Sequence, residues 1–317
     1  MQINDSINRA AGHWNLEVKE IRKDMHIAGS PERCELRVVI ECGDDRLYLL
    51  ESLFGDQIDH KHRIIGLLDF LFQQGASGIH PYTRTENNGC IVSCDDRFWQ
   101  LVPYIEGVPL NRPRYVFDKW RGRVLADFLI QLRERAGDVA GFNRLKPFSI
   151  KDYIYKLMSQ IEKYEPHLSE EMAPVVVFLE KTFMAVHDGL PVAFCHGDYH
   201  PLNIIWSAEG INAVIDWEFS GYKPEIYDMA NLIGCIGMEE PESLSDDLVK
   251  DFISVLKGAE IISALSWEHL FEFVVAMRFA WMSEWLRNKD QEMIELETVY
   301  MNLLVVHSEK LRSLWGL

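Results

Sequence analysis

The sequence predicts an α+β protein of two unequal lobes, a small N-terminal lobe on an antiparallel sheet and a larger, mostly helical C-terminal lobe. Three observations carry this. The first hundred residues hold β-branched apolar runs joined by tight turns. After "YIEGVPL" the apolar spacing changes from every second residue to every third or fourth. A chain of 317 residues is also long for one compact core and short for three.

The elements follow in order. "CELRVVIEC" and "RLYLLESLF", joined by "GDD", read as an antiparallel hairpin. "DHKHRIIGLLDFLFQQG" spaces Ile64, Leu67, Leu68 and Leu71 for a helix that stops at Gly75. "GCIVSCDDRFWQLVPYIEG" gives two more strands turning at "DD", so this lobe is expected to hold strands and one helix. "KWRGRVLADFLIQLRERAG", "IKDYIYKLMSQIEKY" and "EEMAPVVVFLEKTFMAVHDG" are helical, and helices resume from Ile226. A strand-turn-strand segment interrupts them at 194–217. The expected division is a lobe at 1–102, a linker at 103–110 and a lobe at 111–317, with a ligand site expected in the cleft between them.

Bulk properties narrow the function. The net charge of −17 disfavours nucleic-acid binding, whose usual footprint is a basic face. Such acidity keeps a cytoplasmic protein soluble, and it also suits a cationic small molecule. The start of the chain shows no basic region followed by an apolar core, so no secretory signal is expected. The most apolar stretch, "FEFVVAMRFAWM", carries Glu272 and Arg278, which speaks against membrane insertion. The six cysteines form no C-x-x-C pair and are expected to be reduced thiols.

The chemistry concentrates in "HGDYHPLNIIW" and "INAVIDWE". With "SAEG" as the turn, Trp206 should face Ile211 and Asn203 should face Val214. Asp216 would then share a face with Val214, because strand side chains repeat every two residues. An amide oxygen and a carboxylate converging there suit Mg²⁺, a hard cation that takes oxygen ligands. Asp198, five residues before Asn203, stands where a loop carboxylate can accept the proton of an attacking hydroxyl. His196-x-Asp198-x₄-Asn203 has the spacing of the kinase H-R-D-x₄-N loop, with Gly197 in place of Arg.

"HGDYHPLN", "VIDWE" and "YDMA" together resemble the superfamily of aminoglycoside phosphotransferases, choline kinases and type II homoserine kinases. The resemblance is strongest over 192–232. It implies a protein-kinase-like two-lobe fold, ATP or GTP as phosphoryl donor, Mg²⁺, and a small-molecule hydroxyl as acceptor. Residue by residue, it implies Asp198 as catalytic base and Asn203 and Asp216 as metal ligands. His196 is implied to hold the loop, and His200 to lie near the substrate. Glu218 is implied to assist metal or substrate, and Asp228 to tie loops to a helix start. Val102–Gly107, with Val102 and Tyr104, is implied to be the hinge whose backbone meets adenine.

One position departs from the family. A basic residue is expected near the end of the third strand, to meet the nucleotide's phosphates, and Glu51 stands there. Two like charges about 4 Å apart at an effective dielectric of about 20 repel by about 4 kcal/mol. Three readings follow. The ion pair is reversed, with Glu51 holding Lys61 or Arg63, and that base meets the phosphates; or Arg46 or Arg37 supplies the charge; or nucleotide binding is impaired, and the protein is a pseudokinase-like scaffold or uses another donor. On the acceptor side, Glu239, Glu240 and Glu242 would suit an amine, and Trp281 and Trp285, four apart on a helix, offer either core packing or a stacking face.

Overall fold

The structure is a computed structural model in which residues 2–137, 139–142 and 146–317 are described. In chain order its first elements are α1 (Gln2–Gly12), β1 (Val18–Ile21), β2 (Leu36–Cys42), β3 (Leu47–Leu53), α2 (Ile58–Gln73), β4 (Ile91–Cys94) and β5 (Arg97–Pro103). Next come α3 (Lys119–Ala136), α4 (Ile150–Tyr164), α5 (Pro166–Thr182), β6 (Val192–Cys195), β7 (Ile204–Trp206), β8 (Ile211–Val214) and β9 (Gly221–Pro224). The chain closes with α6 (Tyr227–Glu239), α7 (Asp247–Gly258), α8 (Ala264–Glu268), α9 (Leu270–Asn288), α10 (Gln291–Val306) and α11 (Ser308–Trp315).

These elements fall into two compact units. The first comprises Met1–Pro109, Asp138–Phe142 and Leu202–Glu218. Its five-stranded antiparallel sheet runs β1-β2-β3-β5-β4. The β4–β5 turn sets Asp95 and Asp96 at φ 54° and 57°, the left-handed pair that a two-residue hairpin loop demands. Gly75, at φ 73°, ends α2 as expected, with its N–H on the Phe72 carbonyl at 2.9 Å. Among the described residues this unit holds two α-helices, α1 and α2, where one was expected. In α1, Ile7, Ala10 and Ala11, with Trp14 just beyond, bury against Ile40, Leu50, Trp99 and Leu101. Their i, i+3, i+4, i+7 spacing is the signal for that helix.

The β7–β8 hairpin also belongs to this unit. Trp206 pairs with Ile211 as expected, but Ile204, not Asn203, faces Val214. An irregularity between Ile205 and Trp206 shifts the register by one residue. Asn203 instead lies opposite Ile215, whose N–H donates to its carbonyl at 3.0 Å.

The second unit comprises Leu110–Gly137, Asn143–Pro201 and Phe219–Leu317. Helix α9 is its centre. Phe271, Phe273, Val274, Val275, Phe279 and Met282 are buried around its whole circumference, the pattern of a core helix. Arg278, on the same helix, is buried and held by both oxygens of Glu297 on α10, at 2.7 and 2.6 Å. Strands β6 and β9 form a short antiparallel pair, with Ala193 opposite Lys223 and Cys195 opposite Gly221. The helix expected over 170–189 begins earlier, at Pro166, and stops at Thr182. Among the described residues no helix is long and apolar enough to cross a membrane.

Candidate active site

In the second unit β6 delivers the chain to His196, which is wholly buried. Its Nδ1 accepts the Asp198 N–H at 3.2 Å. Asp228, in the first turn of α6, accepts the N–H groups of His196 at 2.7 Å and Gly197 at 2.8 Å. It therefore ties the loop to the first turn of α6. Burial pushes the Asp228 carboxyl up to about 6, against those two donors and the nearby Lys223 and Arg133 charges. Gly197 sits at φ 85°, and a Cβ there would lie 2.1 Å from the Phe219 carbonyl oxygen, so only glycine fits. Tyr199, also wholly buried, donates its hydroxyl to the Leu125 carbonyl at 3.1 Å and stacks on Phe128.

Pinned on both sides, the loop sets Asp198 beside His200. The His200 Nε2 lies 3.6 Å from Asp198 Oδ1. The His200 ring meets Trp281 edge-on at 5.5 Å, and the Trp281 indole donates to Asn231 at 3.0 Å. Asn231 in turn donates to the Tyr199 carbonyl at 3.3 Å, so this chain of contacts returns to the loop. Trp285 is half-buried and donates to Glu297, which makes its indole part of the α9–α10 packing.

The first unit holds the other implied residues. Asn203 is 4% exposed. Asp216 adopts φ 62°, a left-handed conformation uncommon outside glycine. Its Oδ2 accepts the Ser30 N–H at 2.9 Å. Gly29, at φ 84°, packs so closely that a Cβ would lie 3.0 Å from both Asp216 oxygens. An amide oxygen and a carboxylate are hard donors of the kind Mg²⁺ takes, so the donor set fits that ion. Among the described residues no three His, Cys, Asp or Glu side chains group to hold a metal.

Glu51 and its neighbours differ from the reversed-pair expectation. Glu51 is held by neither Lys61 nor Arg63. Its Oε1 accepts from Arg37 Nε at 2.9 Å and its Oε2 from Gln100 at 2.6 Å. The reason is register, because Arg37 and Glu51 face each other directly across β2 and β3, and Gln100 faces Glu51 from β5. Arg37 also donates to the carbonyls of Ala28, Gly29 and Ser30, fixing the segment that covers Asp216. Removing one partner of so buried a pair costs about 3–5 kcal/mol.

Lys61 is 2% exposed and pairs with Glu218, whose backbone carbonyl is 2.8 Å from His60 Nε2. Burial opposes the Lys61 charge, yet Tyr82, Glu218 and Glu51 outweigh it and raise its pKa. Arg63 is exposed and reaches His60 at 3.0 Å, and Arg46 lies at the surface beside Asp44. Val102 pairs with Leu49 inside the sheet, and Tyr104 donates its hydroxyl to the His26 carbonyl at 2.8 Å.

Comparison with known proteins adds the family. The sequence profile of the phosphotransferase enzyme family matches residues 54–260. This chain belongs to that family. It is 22% identical over 190 residues to a homoserine kinase from Beijerinckia indica. That match covers 59% of this chain and 57% of the other, so it spans under two thirds of that relative's length. Among solved structures, choline kinase LicA from Streptococcus pneumoniae shares the fold at a TM-score of 0.65 and 18% identity, covering 96% of this chain and 99% of that one. The GDP complex of aminoglycoside 2'-phosphotransferase-IIIa does so at 0.68 and 16%, over 96% and 99%. The fold of this chain is therefore kinase-like, as its sequence predicts.

The matched span takes in Lys61, Asp198, Asn203 and Asp216 but begins after Arg37 and Glu51. The sequence signals two further residues of this chain poorly. Gln100 reads as an ordinary strand residue. Lys223 lies on β9, a strand the apolar pattern does not announce. It is 8% exposed, its amine 4.9 Å from the Phe148 ring and 4.8 Å from the Tyr227 ring. Contacts of this kind contribute about 0.5–2 kcal/mol each. Burial lowers the Lys223 pKa, while Cys195, Asp228 and Asp198 pull it back up.

Proposed function

We propose that this phosphotransferase moves the γ-phosphoryl group of ATP or GTP to a hydroxyl of a small molecule. The acceptors considered are an aminoglycoside, an amino alcohol, a homoserine-like compound or a sugar. Asp198 accepts the hydroxyl proton as the new oxygen–phosphorus bond forms and the bond to the diphosphate breaks. His200, 3.6 Å away and braced by Trp281, orients that carboxylate. His196 and Asp228 hold the loop. Asn203 and Asp216 would hold Mg²⁺, with Glu218 beside them in sequence, and the ion would neutralise phosphate charge. Val102 and Tyr104, within the 102–110 segment, face the base. Lys61 and Arg37 supply the positive charge missing from the position of Glu51.

The observation that carries this reading is the fixed loop, in which buried hydrogen bonds from His196, Asp228 and Tyr199 flank Asp198 on each side. Pre-set geometry is what general-base catalysis requires.

The test joins binding and turnover. Calorimetric titration with ATP and with GTP, with and without Mg²⁺, should show Mg²⁺-dependent binding that Asp216→Ala removes. Asp198→Asn should keep nucleotide binding and lose turnover by about 10²–10⁴-fold. Normal turnover in Asp198→Asn would remove Asp198 from its role. No binding of either nucleotide would favour a scaffold that keeps the fold without the chemistry.

A further inference from the structure

Lys223 is the charged group near the loop that this reading leaves without a task. It enters from β9 opposite Ala193. Among the described residues it has no hydrogen-bond or ion-pair partner, and its amine rests on the faces of Phe148 and Tyr227. Ring faces attract a cation but do not replace the hydrogen bonds that an ammonium loses on leaving water. The carboxylates that act on it electrostatically are engaged elsewhere. Asp228 accepts two backbone N–H groups, and Asp198 lies beside His200. The Lys223 stem passes where a side chain at position 197 would stand, its Cε 2.7 Å from a Cβ built on Gly197. The absence of a side chain at Gly197 thus admits a cation from the neighbouring strand to the back of the loop that carries Asp198.

We propose that Lys223 is an anion seat on the acceptor side. It takes a carboxylate of the molecule whose hydroxyl meets Asp198. This rests on the phosphotransferase reading and narrows its acceptor to a hydroxy acid or hydroxy amino acid. Such an acceptor supplies the hydrogen-bonding anion that the described residues do not give the Lys223 amine. A purely cationic amino alcohol would bring like charge to the same place.

Two measurements test the seat. The first needs no turnover. In protein carrying ¹³C at the lysine ε-carbons, the Lys223 resonance is assigned by its loss in Lys223→Arg. Titration with sodium acetate, against sodium chloride at equal ionic strength, should shift that resonance saturably. No saturable shift would overturn the proposal.

The second is steady-state turnover of a panel of hydroxy acids, each beside its primary amide. Lys223→Met should raise KM for the acids by about tenfold or more, which corresponds to about 1.4 kcal/mol, and leave kcat within about threefold. Lys223→Arg should recover most of the loss, and the amides should be indifferent. A fall in kcat that is equal for acid and amide would assign the oxyanion to the transferred phosphoryl group and sink the proposal. Unchanged KM in a less stable Lys223→Met protein would reduce the lysine to ring packing, with the same consequence. Acetate binding without turnover of any panel member would support the seat and count against phosphotransfer.

Discussion

Gly197 shows how one residue sets the geometry around Asp198. Its positive φ and the Phe219 carbonyl leave no room for a methyl group. Gly197→Ala should lose about 2–4 kcal/mol of unfolding free energy by urea denaturation, from left-handed strain plus the clash. Gly189→Ala is the control, because nothing lies within 4 Å of a Cβ there. It should change stability by less than about 0.5 kcal/mol. The H-G-D-x-H-x₂-N spacing makes this loop legible in sequence, since the chemistry needs those groups a fixed number of residues apart. The partners of Glu51 are legible only as alternatives. Choosing Arg37 over Lys61 depends on a cross-strand register that sequence does not fix to the residue.

At the scale of elements, the hairpins and most helices follow from apolar periodicity, and the departures have local causes. The irregularity in the β7–β8 pairing leaves Asn212 of β8 as an extra residue, so alternation counted outward from the "SAEG" turn is off by one at Asn203. Strand β9 has four residues, Gly221–Pro224, that lack the β-branched run by which strands are recognised, and its pairing with β6 is long-range. Helix α1 carries the same apolar periodicity as α2, at Ile7, Ala10 and Ala11 and onward to Trp14. Trp14, which follows it, is 7% exposed and donates its indole N–H to the Thr83 carbonyl at 2.9 Å. Trp14→Ala should therefore cost about 3–5 kcal/mol, read as a lower denaturation midpoint with little change in slope.

For the whole molecule, pH is the informative variable. Asp228 is buried with its carboxyl raised to about 6, above its ordinary value of 3.8, and it faces Lys223, Arg133 and two backbone donors. A folded-state value above the unfolded one means that this group's contribution is full below pH 4 and is lost as pH rises through 6. The loss is about 3 kcal/mol at about 1.4 kcal/mol per unit. Asp228→Asn carries no such term. Its stability relative to the parent protein should therefore rise by about that amount between pH 4 and pH 7 in parallel denaturation series. A flat difference would show that the two N–H donors hold the carboxylate ionised.

The contact between Ser30 and Asp216 gives the protein a built-in reporter. One carboxylate oxygen is engaged by a backbone amide, and a cation bound at that oxygen draws off its negative charge and weakens the hydrogen bond. Arg37 anchors the same segment through three carbonyls, so release of the amide is a local opening and not an unravelling of the sheet. Solvent exchange at the Ser30 amide therefore reports how often its hydrogen bond to Asp216 Oδ2 opens. Added Mg²⁺ should speed deuterium uptake there while the β2–β3 amides keep their protection, so a single proton can be timed without any substrate in hand.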